Sequence, residues 1–173
     1  VEDCAAAVRW AQDNISAHGG DGRRIVLSGH SAGAYNAIML ALASTYLDAA
    51  GVAPSSIRGA VGLAGPYDFY PFDVDATRNA FGAAPDPAST QPVAYARADA
   101  PPLLLLWGED DTTVGRRNLD GLARAQRAVG GRVETKSYPG VDHIDILLAI
   151  SRPLRGRAPV LTDMATFVRA VTA

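Results

Sequence analysis

One pentapeptide carries the strongest chemical signal in this chain. Gly29-His30-Ser31-Ala32-Gly33 fits the pattern G-x-S-x-G, in which a strand turns so sharply into a helix that the serine is held out at the turn. We expect glycine at positions 29 and 33 because a β-carbon there would collide with the neighbouring strand or helix. Ala32 would begin the helix, where its backbone N–H is placed to donate to a developing oxyanion. The pattern predicts a nucleophilic serine at position 31.

A serine hydroxyl needs a positioned base, and the sequence contains three histidines. His18 lies in a glycine turn at the far end of the sheet from Ser31, and we interpret it as a surface residue. His30 is next to Ser31, but adjacent residues on a tight turn seldom face each other, so we expect it to pack elsewhere. His143 follows the fourth predicted strand, at the carboxyl edge where open parallel sheets place their ligands. We therefore predict that His143 is the base.

An acidic stretch, Trp107-Gly108-Glu109-Asp110-Asp111, follows the third predicted strand at the same edge. A carboxylate there would hold the tautomer of the imidazole and stabilise the imidazolium. The chain order serine, acid, histidine is also the order that the G-x-S-x-G pattern predicts. A charge run of this kind is most often a solvated loop, and the residues alone leave Glu109, Asp110 and Asp111 open as the acid.

The elements that must position these residues alternate along the chain. Short apolar runs predict strands at Arg24 to Ser28, Ile57 to Leu63, Leu103 to Trp107 and Val133 to Tyr138. Helical spacing predicts helices over residues 2–17, 34–50, 119–129 and 160–171. The alternation predicts a three-layer α/β fold with a mostly parallel sheet and helices on both faces.

The segment from Gly65 to Pro102 breaks this alternation. It contains the prolines at positions 66, 71, 85, 87, 92, 101 and 102. A connection of this length between two strands is usually a lid or a binding loop. We expect it to lack regular structure, to be mobile and to cover Ser31 in part.

Composition excludes several classes of protein. The chain has 173 residues, of which 48% are hydrophobic and 20% charged, as in an ordinary globular domain. The net charge is −2 and the arginines are scattered, so we predict no nucleic-acid partner. We also predict no membrane span, because no apolar run is long enough, and no metal or organic cofactor, because no ligand spacing is present. We expect a cytoplasmic location.

At these residues the chain resembles the esterase and lipase branch of the α/β-hydrolase family, which includes hormone-sensitive-lipase-like enzymes and carboxylesterases. The matching stretches are residues 1–10, 20–27, 29–34, 65–68 and 102–114. In that family the acid follows a strand as glycine, two residues, aspartate, two residues and valine. Gly108, Asp111 and Val114 fall on those positions. The resemblance therefore selects Asp111 as the acid, with Asp110 second.

The resemblance also implies that part of the fold lies outside this chain. Family members have an eight-stranded sheet, and this chain starts at Val1 in the helix that precedes the fifth strand. We therefore expect a single α/β-hydrolase domain without its first four strands and without the loop that supplies the second oxyanion donor. The strand at 24–28 would have a bare edge, and we expect it to pair with the N-terminal half of the same fold or with a second copy of the chain.

The function that the resemblance implies is hydrolysis of a small carboxylic ester. Ser31 would attack the ester carbonyl, His143 would transfer the proton, and Asp111 would orient His143. We also expect three further residues to contact the substrate, namely His30, Tyr67 and Val114. Two alternatives stay open: a silent domain that binds acyl ligands or partner proteins without turnover, and an amidase or peptidase that uses the same triad.

Overall fold

A computed structural model describes residues 1–173 and contains one sheet of four parallel strands. The strands are β1 (Ile25–His30), β2 (Ile57–Leu63), β3 (Leu103–Gly108) and β4 (Val133–Tyr138), paired in that order. The helices are α1 (Glu2–Asn14), α2 (Ala32–Leu42), α3 (Ser44–Ala49), α4 (Asp75–Phe81), α5 (Arg117–Ala128), α6 (Asp145–Leu148) and α7 (Val160–Thr172). None of them combines the length and apolar character needed to cross a membrane. The predicted parallel α/β sheet is confirmed.

The central strand β3 explains why the fold has three layers. All six of its residues are buried. Because successive side chains of a strand point to opposite faces, Leu103, Leu105 and Trp107 enter one core and Leu104 and Leu106 enter another. The first core contains side chains from α1, α2 and α5, and the second contains side chains from α6 and α7. A strand covered on both faces is a continuous apolar run, as this one is.

The helix predicted over residues 34–50 is wrong as a single element. α2 ends at Leu42, and Ala43 has non-helical backbone angles, φ −90° and ψ 88°, before α3 begins. The guanidinium of Arg97 donates to two carbonyl oxygens in the last turn of α2, at 2.9 and 3.1 Å. It satisfies acceptors that the end of the helix leaves open. Because Arg97 lies 55 residues downstream of Leu42, the local alanine-rich pattern gave no sign of this break.

The segment from Gly65 to Pro102 has more regular structure than its prolines predict. It contains α4 and two 3₁₀ turns, Pro87–Thr90 and Pro92–Tyr95. Each turn begins with its proline, at a position where the missing backbone N–H leaves no hydrogen bond unmade. The expectation that the prolines exclude regular structure is therefore wrong.

Two buried amide side chains fasten the ends of this segment to α5. Asn118 Oδ1 accepts from two consecutive backbone N–H groups near the start of the segment, both at 2.9 Å. Gln126 accepts from the N–H of Arg97 at 3.2 Å and donates to the carbonyl of Arg97 at 2.8 Å. The middle of the segment is mostly exposed. That this middle part moves and covers Ser31 stays a prediction.

β1 lies at an edge of the sheet. It pairs with β2 on one side and has no ladder partner on the other. Ser28 is exposed, and Ile25 and Val26 are only half-buried, whereas six of the seven residues of β2 are buried. Within residues 1–173, β1 therefore has the bare edge that the family resemblance implied.

Candidate active site

Ser31 lies at the turn between β1 and α2. Its backbone angles are φ 54° and ψ −123°, and it is one of two non-glycine residues with a positive φ. Its N–H donates to the carbonyl of Leu63 in β2 at 2.9 Å, which ties the turn to the neighbouring strand. A strained backbone of this kind persists where surrounding contacts hold it and is concentrated at functional sites. The strand, sharp turn and helix predicted around Ser31 are all present.

The two glycines of the pentapeptide differ in the space available for a β-carbon. A β-carbon at Gly29 would overlap the backbone carbonyl group of Gly33, so the turn requires glycine at position 29. A β-carbon at Gly33 would meet nothing within 4 Å. The prediction that a β-carbon would collide with its surroundings therefore holds at Gly29. At Gly33 it is wrong, because residues 1–173 leave open space there.

His143 reaches Ser31 from the loop after β4. Ser31 Oγ–H donates to His143 Nε2 at 2.9 Å. The neighbouring Asp142 carboxylate accepts from the backbone N–H groups of Ile144 at 2.8 Å and Asp145 at 2.7 Å, and these bonds lower the pKa of Asp142. Aspartate commonly forms such a turn with the residues that follow it, a signal that the sequence offered and our prediction missed.

Asp111 continues the same series of hydrogen bonds. His143 Nδ1–H donates to Asp111 Oδ2 at 2.8 Å. The other carboxylate oxygen accepts from the backbone N–H groups of Thr113 at 2.8 Å and Val114 at 2.9 Å. The side chain of Asp111 has no exposed surface, yet both of its oxygens are bonded. Burial of a carboxylate requires such partners.

Gly108 brings the acidic loop against the histidine loop. A β-carbon at Gly108, the last residue of β3, would overlap the carbonyl of Val141. Beyond it, the N–H of Asp110 donates to that same carbonyl at 3.1 Å. The turn leaves Glu109 and Asp110 exposed and buries only the next side chain, that of Asp111. Burial therefore separates three acidic residues that the sequence alone left equivalent.

His30 contacts the loop that carries His143. Its Nε2–H donates to the backbone carbonyl of His143 at 2.7 Å, and the two ring centroids are 4.7 Å apart. Burial lowers the pKa of the His30 imidazole, which keeps the ring neutral near pH 7. The packing contact expected for His30 is present, whereas its assigned contact with substrate stays a prediction.

Two assigned substrate contacts are corrected by the structure. Tyr67 is 1% exposed and packs in the core with α2, so the prediction that it contacts substrate is wrong. Val114 is buried, and its carbonyl accepts from Trp107 Nε1 at 2.9 Å, so its role is packing beside the acidic loop. Both residues lie next to motif residues in sequence, and that proximity says nothing about which way a side chain faces. His18 is exposed, as predicted.

The three clefts of about 670 Å³ are not lined by Ser31, Asp111 or His143. One cleft of about 670 Å³ is lined by Ile57, Leu103 and Val133, the first residues of β2, β3 and β4. It therefore lies at the amino edge, opposite Ser31 and His143. At the carboxyl edge, Ala32 is exposed as the first residue of α2, whose initial backbone N–H groups have no partner within the helix.

Known proteins similar to this chain are esterases. Isoprenylcysteine alpha-carbonyl methylesterase ICME of Arabidopsis thaliana is 29% identical over 184 residues, which cover 94% of this chain and 43% of that protein. Esterase LipQ of Mycobacterium tuberculosis is 28% identical over 170 residues, which cover 88% of this chain and 40% of that protein. The chain thus spans less than half the length of these two relatives.

Solved structures share the fold. The apo form of Thermogutta terrifontis esterase 2 has a TM-score of 0.67 and 25% identity, covering 98% of this chain and 63% of that one. A truncated carbohydrate esterase from gut microbiota has a TM-score of 0.70 and 18% identity, covering 99% of this chain and 67% of that one. The sequence model of the BD-FAE family matches residues 1–124. The chain has the α/β-hydrolase fold and belongs to the BD-FAE family.

Proposed function

We propose that this chain carries the catalytic groups of a serine hydrolase that cleaves carboxylic esters. The observation that supports this function best is the continuous series of hydrogen bonds from Ser31 Oγ through His143 to Asp111, at 2.9 and 2.8 Å. A hydroxyl is a weak nucleophile until an adjacent base takes its proton, and an oriented imidazole provides that base. The esterase relatives support esters as the substrate class.

The reaction follows from this arrangement in two steps. Ser31 Oγ attacks the ester carbonyl carbon while His143 Nε2 takes the hydroxyl proton, and the resulting tetrahedral oxyanion collapses by breaking the bond to the alcohol oxygen. The leaving alcohol receives the proton from His143. Water then attacks the acyl carbon while His143 takes its proton, and the bond to Ser31 Oγ breaks as His143 returns that proton to Oγ and the carboxylic acid leaves. Asp111 stabilises the imidazolium that forms in each step.

Ala32 is the oxyanion donor that we propose within this chain. It is the first residue of α2, so its N–H is unpaired within the helix and is directed toward the amino end, where the helix dipole favours negative charge. Removal of one donor from an oxyanion site costs about 10²-fold to 10³-fold in rate. Labelling of the serine and turnover of substrate therefore report on different parts of the site.

The test combines a covalent probe with two matched substrates. We expect a fluorophosphonate to add one adduct to the intact mass, and p-nitrophenyl acetate to be hydrolysed faster than p-nitroacetanilide. Thermogutta terrifontis esterase 2 has been solved phosphorylated by paraoxon, which supports an organophosphorus probe. Labelling without turnover would favour a silent binding domain, and faster anilide cleavage would favour an amidase. The absence of both labelling and turnover would contradict a serine hydrolase.

We also propose that β1 pairs with a further strand, from the N-terminal half of the same fold or from a second copy of this chain. The bare edge of β1 supports this pairing, because exposed edges template association with other strands. We expect light scattering on residues 1–173 alone to show a dimer or larger species, with slow exchange of the β1 amides that do not bond to β2. A monodisperse monomer in which those amides exchange fast would contradict pairing with a second copy and leave the N-terminal half of the fold as the proposed partner.

A further inference from the structure

A single hydrogen bond links the serine turn to the backbone of the base. His30 is the last residue of β1 and directly precedes Ser31. Its Nε2–H donates to the carbonyl oxygen of His143 at 2.7 Å, across 113 positions of sequence. The two rings pack at a centroid distance of 4.7 Å with an angle of 47° between their planes. One turn therefore carries both the nucleophile and a donor that holds the residue bearing the base.

The other hydrogen bonds of the His143 side chain hold its ring, whereas the bond from His30 holds its backbone. Asp111 and Ser31 bond the two ring nitrogens, and these bonds fix the ring only if the backbone that carries it is held. The loop between β4 and His143 contains exposed residues at Pro139 and Gly140. Asp142 bonds backbone N–H groups that follow His143, whereas His30 bonds the carbonyl of His143 itself.

The neutral state of His30 suits the reaction. Desolvation is the main cause that lowers the pKa of its imidazole, and a nearby charge on His143 lowers it further. The hydrogen bond to the His143 carbonyl and the buried Asp111 carboxylate both raise the pKa, but burial outweighs them. A neutral ring donates its one N–H to the carbonyl and places no like charge beside His143 when that residue becomes an imidazolium.

We propose that His30 is a positioning residue for the base: its bond to the main-chain carbonyl of His143 keeps His143 Nε2 within hydrogen-bond distance of Ser31. The inference rests on the proposed serine hydrolase function. His30 acts through His143, so its loss should lower the rate of the chemical step and leave substrate affinity nearly unchanged. A displacement of about 1 Å in reacting groups costs on the order of 10²-fold in rate.

Three variants separate the donor from the ring. His30→Gln keeps an N–H at about the reach of Nε2, His30→Asn places its amide one methylene too short, and His30→Phe keeps the ring without a donor. We expect His30→Phe and His30→Asn to lower kcat and the fluorophosphonate labelling rate about 10-fold to 100-fold, with KM within about 2-fold. We expect His30→Gln to stay within about 3-fold of the wild type. If the Phe variant does not fold, the Gln and Asn pair decides.

A spectroscopic readout keeps this test independent of activity. We expect the low-field proton resonance of His143 Nδ1–H, which reports its bond to Asp111, to persist in His30→Gln and to broaden or shift in His30→Asn. Unchanged kcat and resonance in the Asn and Phe variants would overturn the positioning role, and so would a change confined to KM. If the wild type neither labels nor turns over, the proposed function fails, and the resonances still decide whether His30 holds His143.

Discussion

Replacing Ser31 with alanine will abolish covalent labelling by a fluorophosphonate and lower kcat for p-nitrophenyl acetate by about 10⁶-fold. The reason is that the Ser31 hydroxyl donates to an imidazole nitrogen at 2.9 Å, and the imidazole is oriented in turn by a buried carboxylate. Without the oxygen there is no acyl-enzyme, and the other groups of the site have no nucleophile to activate. Intact-mass spectrometry after labelling and initial rates of p-nitrophenol release measure the two effects.

Two matched variants control for nonspecific loss. Ser28→Ala removes an exposed serine from β1, the strand that leads into Ser31, and Cys4→Ala removes the single cysteine, which is half-buried on α1. Neither side chain has a histidine partner, so we expect both variants to label like the wild type. Persistent labelling of Ser31→Ala, or loss of labelling in either control, would remove the assignment of Ser31 as the nucleophile.

Local patterns predicted the elements whose ends are set by residues adjacent in the sequence. β2 and β4 begin and end at the predicted residues, because each is an apolar or alternating run bounded by turn residues. β1 extends to His30, two residues past its predicted end, because the strand continues into the glycine of the turn. The break after Leu42 was not predicted, and the carbonyls that it leaves open are bonded by Arg97, which comes from a distant segment of the chain.

The residues alone predicted Ser31 and His143 individually, but they predicted the acid only to the level of its loop, and the family resemblance was needed to select Asp111. The parallel topology placed the loops after β1, β3 and β4 at one edge of the sheet. Of the three histidines, His18 was excluded by its place at the opposite end and His30 by its position next to Ser31, which left His143 as the base. Which of Glu109, Asp110 and Asp111 is buried depends on how the backbone turns immediately after β3. The close contact of Gly108 with the next loop sets that turn. The bond from His30 to the His143 carbonyl depends on tertiary geometry, and no spacing in the sequence encodes it.

The second large effect will come from Asp111→Asn, which we expect to lower kcat by about 10⁴-fold, whereas Asp110→Asn stays within about 2-fold of the wild type. Asp111 Oδ1 accepts from two backbone N–H groups, at 2.8 and 2.9 Å. In the variant these donors will hold the amide oxygen in that position, so the amide NH₂ will face His143 Nδ1. Nδ1 must then accept a hydrogen bond, and the ring proton moves to Nε2.

A proton on Nε2 removes the base from Ser31, although the variant changes neither the shape nor the burial of the site. Asp110 is exposed and does not contact His143, so its amide variant reports the effect of removing one charge from the same loop. The initial rates of p-nitrophenyl acetate hydrolysis give the two losses, and the ¹⁵N shifts of His143 report its tautomer directly. Equal losses in the two variants, a larger loss in Asp110→Asn, or an unchanged Nδ1–H tautomer in Asp111→Asn would show that Asp111 is not the carboxylate that orients the base.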